Sequence, residues 1–122
     1  MKYLCLVYYD ENIMNAMTEQ EWFDLNQECI GCVDRLQSSG HFMAGEALQP
    51  VASATTLRVR NGNVSITDGP FAETKEQLAG FYMLDARDLN EAIALAGKIP
   101  PARYGSIEIR PVRELPRIKP EM

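Results

Sequence analysis

Residues 2–9 constrain this chain most. Tyr3-Leu4-Cys5-Leu6-Val7-Tyr8-Tyr9 is an unbroken run of aliphatic and aromatic side chains directly after Lys2. A run this short and this rich in such residues reads as a β-strand. Successive strand side chains point to opposite faces, so a sheet with one wet face shows alternating polarity. None appears here, so both faces of this strand need cover. The strand belongs inside a sheet, with something packed on each side.

The rest of the chain supplies one of those covers. Thr18-Glu19-Gln20-Glu21 is a capping box, and Trp22, Leu25, Cys29, Cys32 or Val33, and Leu36 then recur at three- and four-residue steps. That spacing predicts a helix with one apolar face, ended by Ser38-Ser39-Gly40. Asp88-Leu89-Asn90-Glu91 is a second box, opening a helix through Ile93, Leu95, Ala96 and Ile99 that Pro100-Pro101 stops. Residues 10–17 read as a loop. Strands are expected at 42–48, with Gly45 a bulge or close approach, at 81–86, and at 105–110. In the last of these Ile107 and Ile109 face the core, and Glu108 and Arg110 face away.

Between these units lies a hairpin. Thr56-Leu57-Arg58-Val59-Arg60 and Asn63-Val64-Ser65-Ile66-Thr67 flank Asn61-Gly62, the pair that a type I′ turn demands. The turn sets the register: Val59 opposite Val64 and Leu57 opposite Ile66 on one face, Arg58 opposite Ser65 on the other. The order β-α-β, hairpin, β-α-β predicts an α+β fold, an antiparallel sheet with two helices on one face. The cover still missing from the first strand is most simply a second copy of the chain, making a homodimer.

At 122 residues the chain fits one domain, residues 1–110, with 111–122 as a proline-containing extended arm. The net charge of −5 excludes the basic stripe of a nucleic-acid or anionic-membrane surface. No apolar run approaches the length of a membrane span, and the apolar N-terminus runs into Asp10 and Glu11 without a signal-peptide cleavage site. Three cysteines fit free thiols in a reducing compartment, so a cytoplasmic location is expected.

The most chemically loaded stretch is residues 68–80, Asp-Gly-Pro-Phe-Ala-Glu-Thr-Lys-Glu-Gln-Leu-Ala-Gly. Asp68-Gly69-Pro70 is turn chemistry, and Glu73, Lys75 and Glu76 follow within a few residues. This run closely resembles the signature of the DGPF (DGPFAETKE) proteins, a branch of the YCII-related family. Gly45-Glu46-Ala47-Leu48-Gln49-Pro50 resembles the family's upstream segment, and Pro101-Ala102-Arg103-Tyr104-Gly105-Ser106-Ile107-Glu108-Ile109-Arg110-Pro111 its last strand. The resemblance implies a ferredoxin-like sheet that pairs into a dimeric α+β barrel. Through the family's gene neighbourhood, near extracytoplasmic-function sigma factors, it implies a bacterial, regulatory or stress-linked role. The wider family is proposed to use a first-helix histidine with an aspartate. This chain has no histidine between Thr18 and Gly40, so that dyad does not carry over.

The candidate site is therefore Asp68 as acid or base, with Glu73, Lys75, Tyr82, Glu108 and Arg110 holding a small polar or anionic ligand. The competing reading makes the same residues a staple, with Asp68 capping its turn and Lys75 and Arg110 pairing with carboxylates. His41 follows a glycine at the foot of a strand and is read as non-catalytic. Cys29 and Cys32 form a C-x-x-C in mid-helix, where packing is expected rather than redox or zinc chemistry. No glycine-rich phosphate loop, nicotinamide fingerprint or G-x-S-x-G is present, so neither cofactor nor metal is expected. Two functions remain: a small-molecule-binding dimer with a polar pocket under the signature loop, or an enzyme working through Asp68.

Overall fold

In the computed structural model, which describes residues 1–116, the apolar first segment is an interior strand. β1 (Lys2–Tyr9) lies between β5 (Gln77–Asp85) and β6 (Gly105–Pro111), and β2 (Phe42–Ala47) pairs with β5. The strand order is β2-β5-β1-β6, antiparallel throughout, as a ferredoxin-like sheet requires. Tyr3, Cys5 and Val7 are buried on one face of β1. They pack against Cys32 and Leu36 of one helix and Ala92, Leu95 and Ala96 of another, with Ile107 and Ile109 of β6 at the margin.

The longer helix is α2 (Glu19–Ser38), which follows a short α1 (Glu11–Asn15). Both halves of its capping box form: the Glu21 N–H donates to Thr18 Oγ1, and the Thr18 N–H to Glu21 Oε1, each at 3.1 Å. At its end Gly40 takes φ +79°. The Gly40 N–H then reaches the Gln37 carbonyl and the His41 N–H the Leu36 carbonyl, at 3.0 and 2.9 Å. This is the glycine-closed C-terminus that Ser38-Ser39-Gly40 foretold.

Three local expectations change. Residues 10–17 are not all loop: Asp10 accepts the Asn12 N–H and starts α1, whose five residues are too few to show a period. The second capping box is split. Asp88 caps α3 (Leu89–Ala96) by accepting the Glu91 N–H, but Glu91 reaches back to the Arg87 N–H at 3.1 Å instead. The strand expected from residue 81 starts at Gln77. Gly80 lies within it, opposite Ala47 and Val7, where an added Cβ would stand 2.7 Å from the Glu46 carbonyl oxygen. Here glycine permits a close crossing instead of breaking the strand.

β3 (Thr55–Arg60) and β4 (Asn63–Asp68) form the hairpin as a separate two-stranded sheet, in the expected register, with Asn61 at φ +52° and Gly62 at φ +76°. Its apolar face meets no core: Leu57 is 60% exposed and Ile66 65%. The second face of the main sheet is also uncovered among the described residues. There Leu6 sits opposite Phe81 and Leu4 opposite Met83, with Tyr8 beside them, all half-buried. Glu108 and Arg110 flank this apolar strip from β6, and the extended-arm residues 117–122 lie outside the described part of the chain.

Candidate functional site: a cavity under the second helix

On the helix-covered side of the sheet, the floor near β2 is built from small side chains. Gly45, Ala47 and Gly80 face α2 together with Val7, because Gly45 pairs with Tyr82 and Ala47 with Gly80. With little side-chain volume below it, α2 leaves a half-open cavity of about 590 Å³. Its roof carries Trp22, Leu25, Asn26, Cys29, Ile30 and Val33 of α2. Tyr9 and Tyr82 stand in the wall. Glu11, Met14 and Asn15 of α1 form one lip, and the turn at Leu48, Gln49 and Pro50 forms the other.

The two lips are tied together. Glu11 Oε2 accepts the Val51 N–H at 3.0 Å, and the Glu11 N–H donates to Gln77 Oε1 at 2.9 Å. Trp22, counted as core from its helical spacing, is 54% exposed over the cavity, while Leu25, Cys32 and Leu36 of the same stripe are buried. Burial pushes the Tyr9 hydroxyl up, with the Glu11 carboxylate adding to the shift. Burial also raises Tyr82 and Cys29. Both phenols and the Cys29 thiol therefore stay protonated at neutral pH. Cys32 is raised by burial too, its Sγ 3.6 Å from the Lys98 carbonyl, so neither cysteine of the C-x-x-C has thiolate character.

The residues singled out from sequence do not converge in one chain. Tyr82 lines the cavity. Glu108 and Arg110 lie on the opposite sheet face, side by side at 3.8 Å. Asp68 ends β4 and is exposed, as are Glu73 and Lys75. The turn after Asp68 is closed by backbone and Thr56: the Gly69 N–H donates to Ala54 O at 2.7 Å, and Thr56 Oγ1 donates to Gly69 O at 2.8 Å. Glu76 is the one loop carboxylate that touches the last strand, accepting from Ser106 Oγ at 2.7 Å. Phe71 is 79% exposed.

His41 has a structural job. Its Nδ1 stands 2.8 Å from the Asp85 carbonyl oxygen, which can only accept, so Nδ1 carries the proton. The His41 carbonyl in turn accepts the Asp85 N–H. Among the described residues no three His, Cys, Asp or Glu side chains cluster as a metal site would, and no helix is long and apolar enough to cross a membrane.

Sequence reasoning missed the cavity residues Tyr9, Glu11, Asn26 and Cys29. The available signal was the pairing of small floor residues with a helix stripe whose first turn carries a tryptophan.

An antiparallel α+β domain with a half-open cavity between its long helix and an edge strand is the class defined so far. The chain belongs to the YCII-related family, whose domain matches residues 1–116. An uncharacterised protein of Rhizobium meliloti (strain 1021) is 36% identical over 114 residues, covering 92% of each chain. Among solved structures, the 5-chloro-2-hydroxyhydroquinone dehydrochlorinase TftG of Burkholderia phenoliruptrix AC1100, in complex with 2,5-dihydroxybenzoquinone, is similar at TM-score 0.54. It is 12% identical, and the match covers 93% of this chain and 94% of that one, a likeness of fold.

Proposed function

We propose that this chain is a small-molecule-binding homodimer of the DGPF branch, working in the bacterial cytoplasm in a regulatory or stress-linked role. The observation that carries the reading is the cavity of about 590 Å³ under α2, within the size range of small-molecule sites. Tyr82, Tyr9 and Trp22 offer it aromatic surface, and Asn15, Asn26 and Gln49 offer hydrogen bonds. The raised phenols and thiol favour binding over proton transfer, because none of them titrates near neutral pH. Dimerisation is supported by the uncovered strip of Leu4, Leu6, Phe81 and Met83, rimmed by charged Glu108 and Arg110 like the edge of an interface. The DGPF assignment rests on the run from Asp68 to Glu76.

A second reading keeps Asp68 as an acid or base, with Glu73, Lys75, Glu108 and Arg110 holding an anionic substrate. It draws support from the Ser106–Glu76 bond, which brings the signature loop against β6. It requires a second subunit to close the site, because Asp68, Glu73 and Lys75 are exposed in one chain.

Ligand screening by the fluorescence of Trp22, the sole tryptophan, separates the two readings. Asp68→Asn should leave this response unchanged, whereas a bulky Gly45→Leu should abolish it; Trp22→Phe, which lacks the fluorophore, is titrated by calorimetry and should bind more weakly. Loss of binding in Asp68→Asn with retention in Gly45→Leu would favour the second reading.

A further inference from the structure

The charge on the cavity walls is one-sided. Glu11 and Asp34 stand on the helix side, and among the described residues no Lys, Arg or His lines the cavity. Glu46 also borders it, but strand alternation turns its side chain to the opposite face, beside Phe81. The basic group that acts on Cys29 is Arg103, and it is spent on Glu28 at 2.7 Å outside the cavity. The other groups in the wall are aromatic faces (Tyr9, Trp22, Tyr82) and amides, and the whole chain carries −5.

We infer that the ligand of this cavity is an amphipathic organic cation, an amine whose apolar body lies under α2 and whose ammonium sits at the mouth near Glu11. The inference rests on the binding reading above and names its ligand class. Leu25, Ile30 and Val33 provide the apolar roof for such a body. Trp22, left 54% exposed, offers a ring face of the kind that attracts cations, and Glu11 supplies the counter-charge within reach of Tyr9. A carboxylate ligand would instead leave water to face Glu11 and Asp34 with no positive partner, which costs it affinity. The expectation of an anionic ligand drew on Lys75 and Arg110, and neither lines this cavity.

The experiment uses three probes that share a cyclohexylethyl body and do not fluoresce: cyclohexylethylamine, cyclohexylethanol and cyclohexylpropanoate. Each is titrated into the full-length protein with Trp22 emission and calorimetry as readouts. The amine should bind about tenfold tighter than the alcohol, and the acid more weakly than the alcohol. Glu11→Gln keeps an oxygen to accept the Val51 N–H, and Asp34→Asn is a surface change. Together they should erase the amine's advantage, bringing its affinity down to that of the alcohol for the same variant. An alcohol or acid that binds as tightly as the amine overturns the ligand class and leaves the cavity reading standing. Failure of all three to bind overturns both.

Discussion

Ser106 Oγ donates to Glu76 Oε1 at 2.7 Å and so fastens the end of the signature loop to the last strand. The bond is exposed, and it links the loop residue just before the interior strand β5 to the edge strand β6. Glu76 is followed by Gln77, whose side chain binds the Glu11 N–H on the cavity lip. The loop is thereby connected mechanically to the cavity without lining it.

Ser106→Ala should lower stability by about 0.5–1.5 kcal/mol, the net worth of one hydrogen bond to a charged acceptor in a solvated setting. Amide exchange should speed up at residues 74–77 and stay unchanged in α3. Unchanged exchange across the loop would show that the bond does not hold it.

Thr18 and Glu21 close the first turn of α2, and the Trp22 N–H bonds the Thr18 carbonyl at 2.9 Å in the same turn. Thr18→Ala should cost about 1 kcal/mol in urea denaturation, the usual loss for an N-cap. Because Trp22 sits in that turn over the cavity, its emission should also shift and ligand affinity should fall. A full stability loss with unaltered emission would separate the cap from the cavity roof.

The parts of the fold that were legible in the sequence are those set by near neighbours. Asn61-Gly62 fixes a hairpin register through two backbone conformations, and Thr18 and Glu21 satisfy each other across one turn. The interior position of β1 depends on distant partners, yet it was legible because a strand without polar positions does not lie at a solvated edge. What the sequence concealed depends on residues far apart in the chain. Gly80 reads as the residue that precedes a strand from Phe81, and only the packed structure shows it inside β5, where the Glu46 carbonyl leaves no room for a side chain. Trp22 matches the core stripe by spacing, yet it stands over a void because Gly45 and Gly80 supply no volume below the helix. The candidate site at Asp68 was read from chemical content alone. Content cannot reveal that Tyr82 on the interior strand β5 and Arg110 on the edge strand β6 point to opposite faces.

Cys5 is fully buried on β1, and burial pushes its thiol from 9.0 up to about 11. The folded state therefore holds this proton more tightly than the unfolded chain does. The stability from the protonated thiol is fully present below about pH 9 and is lost as pH rises from 9 towards 11. The loss from Cys5 alone should reach about 2–3 kcal/mol. Tyr82, also raised by burial from 10.0, steepens the decline above pH 10. Urea midpoints taken across this range should fall steadily. Cys5→Ala should start lower because of the cavity it leaves, but descend less steeply. Parallel slopes for the two proteins would show that Cys5 is not the titrating group.

Leu6 opposite Phe81 and Leu4 opposite Met83 form an apolar strip on one sheet face, and Leu57, Val59, Val64 and Ile66 form a second on the hairpin. An isolated two-stranded ribbon is marginal in water, and this one has its apolar side open to solvent. Two surfaces of this kind on one chain are most economically covered by a second copy. A two-fold arrangement applies the same strip twice and should bury more than about 1,000 Å² in total. Sedimentation at micromolar concentration should show a dimer. Leu6→Glu should weaken it by about 2 kcal/mol or more, the scale of a central interface residue. Ile66→Glu tests the hairpin separately: if the hairpin packs on the partner, it too should shift the protein towards monomer without unfolding the main sheet. A wild-type chain that sediments as a monomer would end the dimer proposal. A dimer indifferent to Ile66→Glu would confine the interface to the sheet face and leave the hairpin to another partner.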